Sequence, residues 1–202
     1  MKHNLRKEMK ALLKAMTPDV AAAKSRAASI SLIAQSEFRN ARTVMIYLTI
    51  PCEVDIAEIA LSAWRDEKDV VAPRVDWDQR HMIAVNIHSL HSGLTVGQFG
   101  LREPVAGQPW PVEDIDLVIV PALAYDRHGR RLGRGAGMYD RFLAAPGLRA
   151  IRCGIAFCDQ VVDELPVHDY DVPVDMLVTD KEVLRFPANA RPSFAKGFGP
   201  TL

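Results

Sequence analysis

The chain has little cysteine, no surplus charge of either sign and no long apolar run, and each shortage closes off a class of protein. Three cysteines (Cys52, Cys153, Cys158) in 202 residues cannot all pair with one another and show no metal-ligand spacing, which argues for reduced thiols rather than a disulfide framework. Lysine plus arginine and aspartate plus glutamate both number 25, so the formal net charge is zero and any basic function must be local. A surface generally suited to nucleic acid is thereby disfavoured. No apolar stretch approaches the roughly 20 residues of a membrane span. The opening MKHNLRKEMK is too charged for a secretory signal. A cytoplasmic protein with neither nucleic-acid nor membrane partners is expected.

A hydrophobic fraction of 49% with 25% charged residues is ordinary for a globular chain, and the length suits one domain with a substantial core. Residues 4–16 place Leu5, Met9, Leu12, Leu13 and Met16 on one helical face. Thr17-Pro18-Asp19 supplies an N-cap, a proline at the first helical position and an acidic first turn, opening a second helix to about Glu37. Thr43 to Thr49 reads as an apolar strand, followed by a helix from Asp55 to about Arg65 with Ile56, Ile59, Ala60 and Ala63 inward. Asp69 to Ala72 reads as a strand stopped by Pro73, and Met82 to Ile87 as a weaker one. Residues 88–114 hold many glycines and prolines and read as loop. Further strands are expected at 116–120, 151–157 and 176–179, with a helix ending near Ala145 between the first two. Apolar strands alternating with helices predict an α/β protein, a mostly parallel sheet covered on both faces. One domain spans 1–185, and the aperiodic, Pro- and Gly-rich residues 186–202 read as a loosely ordered tail.

The most informative stretch is DLVIVPALAYDRHGRRLGRGAGMYDR, residues 116–141. A strand leads through a polar turn to Arg130 and Arg131, then to Gly133, Gly135 and Gly137 with Arg134 between the first two. A short helix carrying Asp140 follows. Glycines let a ligand approach backbone amides, free amides at a helix start favour an anion, and arginines bond phosphate with charge assistance. A carboxylate one turn into the helix is the hard oxygen ligand that Mg²⁺ prefers. The pattern G-x-G-x-G matches neither the dinucleotide fingerprint nor the Walker loop. It reads as a nucleoside triphosphate site with its metal.

RLGRGAGMYDR, preceded by VPALAYDRHG, resembles the signature of the 5-formyltetrahydrofolate cyclo-ligase family. KHNLR, YLTIPCEVD, APRV, GLREP, AFCDQ, LPVHDYDVPVD and LVT fall in the family's order, so the resemblance covers roughly residues 2–180. It implies a three-layer α/β/α, Rossmann-like fold with N-terminal helices. It also implies ATP- and Mg²⁺-dependent closure of a reduced formyl-folate to its methenyl form, in a monomer or small homo-oligomer. By the same resemblance Lys2 and Arg6 contact ATP phosphates. The run Arg131, Leu132, Gly133, Arg134, Gly135, Ala136, Gly137, Met138, Tyr139 binds ATP as well. Leu48 and Glu53 contact the folate together with Arg134 to Met138; Glu53 takes the pterin ring. Asp140 and Asp175 hold the metal, and Arg134 stabilises the transferred phosphoryl group.

Two positions depart from the family pattern. Met138 stands where an aromatic is usual, and Ala136 where some members carry lysine. A related enzyme acting on another formamide or amide, and a folate- or nucleotide-binding protein without turnover, therefore stay open beside the cyclo-ligase. A sugar-phosphate isomerase rests on fold alone. His168-Asp169 reads as structural, and His88 and His91 as loop histidines without a third ligand.

Overall fold

A run such as LVIV at 117–120 has no polar face to give to water, so a sheet made of such strands must be covered on both sides. The structure, a computed structural model, describes residues 1–187 and has this arrangement. The chain opens with helices α1 (Lys2–Ala15), α2 (Pro18–Ile33) and α3 (Ser36–Asn40). Strand β1 (Thr43–Met45), helix α4 (Ala57–Arg65) and the hairpin β2 (Asp69–Asp76) and β3 (His81–Asn86) come next. A ribbon of β4 (Leu94–Val96) and β5 (Arg102–Pro104) precedes β6 (Leu117–Val120). Then come β7 (Ala124–Asp126), β8 (Arg131–Leu132), α5 (Met138–Leu143), β9 (Ile151–Ala156), β10 (Val161–Val162), β11 (Met176–Thr179) and β12 (Val183–Arg185).

Seven strands make the main sheet in the order β12-β11-β9-β6-β1-β2-β3. The five inner strands are parallel, and the edge strands β12 and β3 pair antiparallel. Side chains alternate across it. Leu117 and Ile119 of β6 pack with Leu13, Leu32, Phe38 and Ile59 under the first four helices. Val118 and Val120 pack with Phe142 and Leu143 of α5 on the other face. Ile119 is fully buried, and its truncation to alanine is expected to cost about 2–5 kcal/mol. This three-layer α/β/α arrangement is the expected class.

Several boundaries differ from expectation, each for a physical reason. Leu12 is 41% exposed because the buried stripe of α1 runs through Met9 and Leu13, one helical turn apart. The second helix ends at Ile33 and α3 starts afresh. The first strand is assigned only through Met45. Pro73 does not stop β2, which continues to Asp76. The carbonyl of Ala84, opposite Pro73, turns outward to the Trp110 N–H, so this is a non-hydrogen-bonded pair and the missing proline N–H faces the side where β1 has already ended. Residues 88–114 contain the β4–β5 ribbon. The chain also returns after β11 as β12, an edge strand too short to read from its sequence. The expected tail, 186–202, lies outside the described residues apart from Phe186 and Pro187.

Candidate active site

In an open parallel sheet the strand ends at the carboxyl edge leave a crevice. Here it is a cavity of about 880 Å³. Leu48 and Glu53 enter it after β1, and Pro121 and Ala122 after β6. The glycine loop forms one wall, delivered by a small second sheet in which β7 pairs antiparallel with β8 and parallel with β10. Lys2 and Arg6 reach in from the first turns of α1. Every residue assigned a ligand from the sequence lines this cavity except Asp175.

The loop turns where glycine is needed. Gly135 has φ +116° and Gly137 φ +69°, values in which a side chain is strained, whereas Gly133 is not among the positive-φ residues. Gly137 is the N-cap of α5. Met138, 8% exposed, joins the core beneath α5 while touching the cavity, so the departure from the family's aromatic is an apolar contact in the cavity wall.

The cations expected to meet phosphate are mostly paired. Three carboxylates each take one backbone amide and one side-chain cation. Glu53 accepts the Ile50 N–H at 3.3 Å and Arg134 Nη2 at 3.0 Å. Asp140 accepts the Val172 N–H at 3.1 Å and Arg131 Nη2 at 2.5 Å. Asp171 accepts the His168 N–H at 2.8 Å and Lys2 Nζ at 2.5 Å. The amide anchors each carboxylate, and the cation neutralises it. Arg6 instead donates from Nε to the Gly133 carbonyl at 2.9 Å. Burial pushes the Glu53 carboxyl above the ordinary range, and Arg134 only partly offsets this.

The two neighbouring arginines behave differently. Arg130 points out and bonds Glu164, whereas Arg131 is buried and also donates from Nε to the Val172 carbonyl. Asp126, the last residue of β7, is fully buried and accepts the N–H groups of His128, Arg130 and Leu165. It organises the turn.

Asp175, the second residue expected at the metal, stands apart from Asp140 and outside the cavity lining. It precedes β11 at the amino edge of the sheet, where its Oδ2 accepts the Arg152 N–H at 2.9 Å. Asp140 lies in the carboxyl-edge cavity. A position just before a parallel strand is at the amino edge, so the expectation for Asp175 came from the resemblance alone. The donor set around Asp140 still fits Mg²⁺, which needs only one or two carboxylates when phosphate oxygens and water complete its shell. Among the described residues the one cluster of three metal-type ligands, Cys158, Asp159 and Asp180, is outside the cavity lining, and Lys24 bonds Asp159 within it.

The sequence reading missed the apolar wall. Pro73 and Val75 of β2, Met82 of β3 and Trp77 in the turn between them line the cavity. Ending β2 at Pro73 hid this, because Val75 and Trp77 lie just beyond. Residues 167–171 and Tyr47 were missed as well. Tyr47 and Tyr139 line the cavity, and Tyr125 is buried in the core. Tyr47 Oη donates to the Val54 carbonyl at 2.6 Å and Tyr125 Oη to the Val120 carbonyl at 2.5 Å. Tyr139 Oη is buried without a hydrogen-bond partner among the described residues.

An α/β/α domain whose carboxyl-edge cavity combines a glycine-arginine loop, an anchored carboxylate and an apolar wall has the build of a small-molecule site with an anionic and an apolar half. The family model described as the 5-formyltetrahydrofolate cyclo-ligase family matches residues 1–180. The chain is 28% identical to the 5-formyltetrahydrofolate cyclo-ligase of Escherichia coli K12 over 174 residues, covering 84% of this chain and 95% of that one. It is 27% identical to the mouse enzyme of the same name over 184 residues, covering 86% and 91%. Its fold matches the 5,10-methenyltetrahydrofolate synthetase of Aquifex aeolicus with a TM-score of 0.80 at 34% identity, over 91% of this chain and 92% of that one. A synthetase of the same name from Mycoplasma pneumoniae matches in fold, with a TM-score of 0.73 at 21% identity, over 89% and 99%. The chain belongs to the 5-formyltetrahydrofolate cyclo-ligase family.

Proposed function

We propose that this protein converts 5-formyltetrahydrofolate to 5,10-methenyltetrahydrofolate with consumption of ATP in the presence of Mg²⁺, and that the carboxyl-edge cavity is where it does so. The observation that carries the location is the convergence of the family's signature loop, the α1 cations and Glu53 on one cavity. The chemistry explains why such a site needs ATP. A formamide oxygen is a poor leaving group, so it first attacks the γ-phosphorus and the bond to ADP breaks. N10 of the folate then attacks the activated formyl carbon and gives up its proton. The C–O bond breaks, phosphate departs, and the methenyl bridge remains. The protein's task is alignment and charge neutralisation rather than acid–base work.

In this proposal Glu53 takes the amino-pyrimidinone edge of the pterin, whose adjacent N–H donors suit a carboxylate. Leu48 and Met138 pack against the ring system, opposite the wall that includes Trp77. Arg6, Lys2 and the backbone of Gly133, Ala136 and Gly137 face the triphosphate, with Leu132 and Tyr139 at its back. Arg131, buried, holds Asp140 in place rather than reaching phosphate itself. Asp140 supplies the protein ligand to Mg²⁺, which when bound draws charge off the phosphates. Arg134 stabilises the transferred phosphoryl group. Asp175 has no part in this assignment, since it lies outside the cavity.

No helix among the described residues is long and apolar enough to cross a membrane. The cytoplasm is the compartment we assign, on the reduced-thiol composition; one relative, from Arabidopsis thaliana, is named as mitochondrial. The test of function is a paired assay with 5-formyltetrahydrofolate and Mg-ATP, following methenyl absorbance while ADP is counted. Equal amounts of both products are expected. ADP formed without methenyl product would assign the site to another acceptor.

A further inference from the structure

Glu53 and Arg134 were each expected to meet a ligand, and in the structure they meet each other. Both Nε (3.2 Å) and Nη2 (3.0 Å) of Arg134 donate to Glu53 Oε1. The two partners are held very differently. The Glu53 side chain is 10% exposed and its other oxygen is anchored by the Ile50 N–H. The Arg134 side chain is 40% exposed, on a loop followed by two positive-φ glycines, Gly135 and Gly137. One partner is fixed and the other can swing.

A guanidinium and the 2-amino-pyrimidin-4-one edge of a pterin offer a carboxylate the same thing, two N–H donors on a flat frame. One buried acceptor cannot serve both at once. We propose that Arg134 occupies, in the ligand-free protein, the place on Glu53 that the substrate's paired N–H edge takes, and that substrate binding sends Arg134 from Glu53 toward the transferred phosphoryl group. This inference rests on the function proposed above and adds an order of events to it. Arg134 lines the same cavity as Arg6 and Asp140, so the released guanidinium stays within the site. A ligand without the paired donors leaves Arg134 on Glu53. Part of the folate's binding free energy goes into breaking the resident pair, and the phosphoryl-stabilising charge arrives only once the acceptor is in place. ATP cleavage without folate is thereby held down.

The test is equilibrium binding of 5-formyltetrahydrofolate in the absence of ATP, by calorimetry, to the wild type and to Arg134→Met. Removing the resident competitor is expected to tighten binding about two- to fivefold, the factor that a partly exposed ion pair corresponds to, while turnover is lost. A residue that merely contacts the substrate would give weaker binding on removal. Arg134→Lys, which keeps a charge but not the flat pair of donors, is expected to bind with intermediate affinity and serves if the methionine variant does not fold. Wild-type binding with no tightening in either folded variant overturns the exchange and leaves the function standing. Absence of wild-type binding overturns the function itself.

Discussion

The two edges of the sheet use carboxylates for different ends. At the amino edge, Asp116 Oδ2 accepts the N–H groups of Arg42 (2.8 Å) and Thr43 (2.9 Å), and Asp175 Oδ2 accepts that of Arg152, whose own Nε lies 3.9 Å away. These side chains satisfy main-chain groups where strands begin. Glu37 there is gripped by Arg185, whose Nε lies 2.8 Å from Oε1, tying α3 to β12. At the carboxyl edge Glu53, Asp140 and Asp171 are each anchored by one amide and each carry a cation that also lines the cavity. A carboxylate that bonds two backbone amides, as Asp116 does, cannot change partners without uncovering the backbone. One that neutralises a side-chain cation can exchange it. The first arrangement serves stability, and the second leaves room for a ligand.

The largest effect that would sharpen this contrast is on Arg134. Arg134→Met is expected to lower kcat by about 10²–10³, the range for a lost donor to transition-state charge, with little change in melting temperature. A variant that melts early but turns over normally would place Arg134 among structural residues. Asp140→Asn is expected to lose both. It removes a metal ligand, raising the Mg²⁺ requirement by at least about tenfold. It also strips buried Arg131 of its counter-charge, a change of the kind that costs about 3–5 kcal/mol. Normal magnesium dependence in that variant would end the metal assignment. At the other edge, Asp116→Ala should cost about 0.5–2 kcal/mol, as loss of a cap does, and leave turnover per folded molecule untouched.

Acidity gives a smaller effect with a definite sign. Burial raises the Glu53 pKa above the ordinary glutamate range, so affinity for formyl-folate should fall as pH drops through that raised value, earlier than an exposed carboxylate would dictate. Because the folded-state pKa lies above the unfolded one, ionised Glu53 costs the fold stability above that pKa, and the cost disappears as pH falls through it. Glu53→Gln should remove both dependences; an unchanged acid limb of the binding curve would point to a different group. The smallest expected change is Tyr139→Phe. Its hydroxyl has no partner among the described residues, so removing it should leave the ligand-free protein as stable or up to about 1 kcal/mol more so. A lower melting temperature would show that the hydroxyl has a partner in solution.

The sheet, its two covered faces and the glycine loop were legible because continuous apolar strands and a long signature leave few alternatives. Leu117 to Val120 is one such run, buried throughout. What stayed hidden depended on three-dimensional position. The adjacent Arg130 and Arg131 look alike in sequence, and only the fold sends one outward and buries the other against Asp140. Pro73 reads as a strand breaker until β1 is seen to end beside it. Asp175, just before a parallel strand, was readable as an amino-edge residue, and only the resemblance assigned it to the metal. The pairing of Glu53 with Arg134, 81 positions apart, has no local signal at all.

The most direct measurement is a crystal structure of the protein with 5-formyltetrahydrofolate and a non-hydrolysable ATP analogue. The account predicts the pterin edge on Glu53, Arg134 turned from it toward the γ-phosphate, and the triphosphate against residues 133–137. Folate bound away from the carboxyl-edge cavity, or seated there with Arg134 still on Glu53, would contradict it.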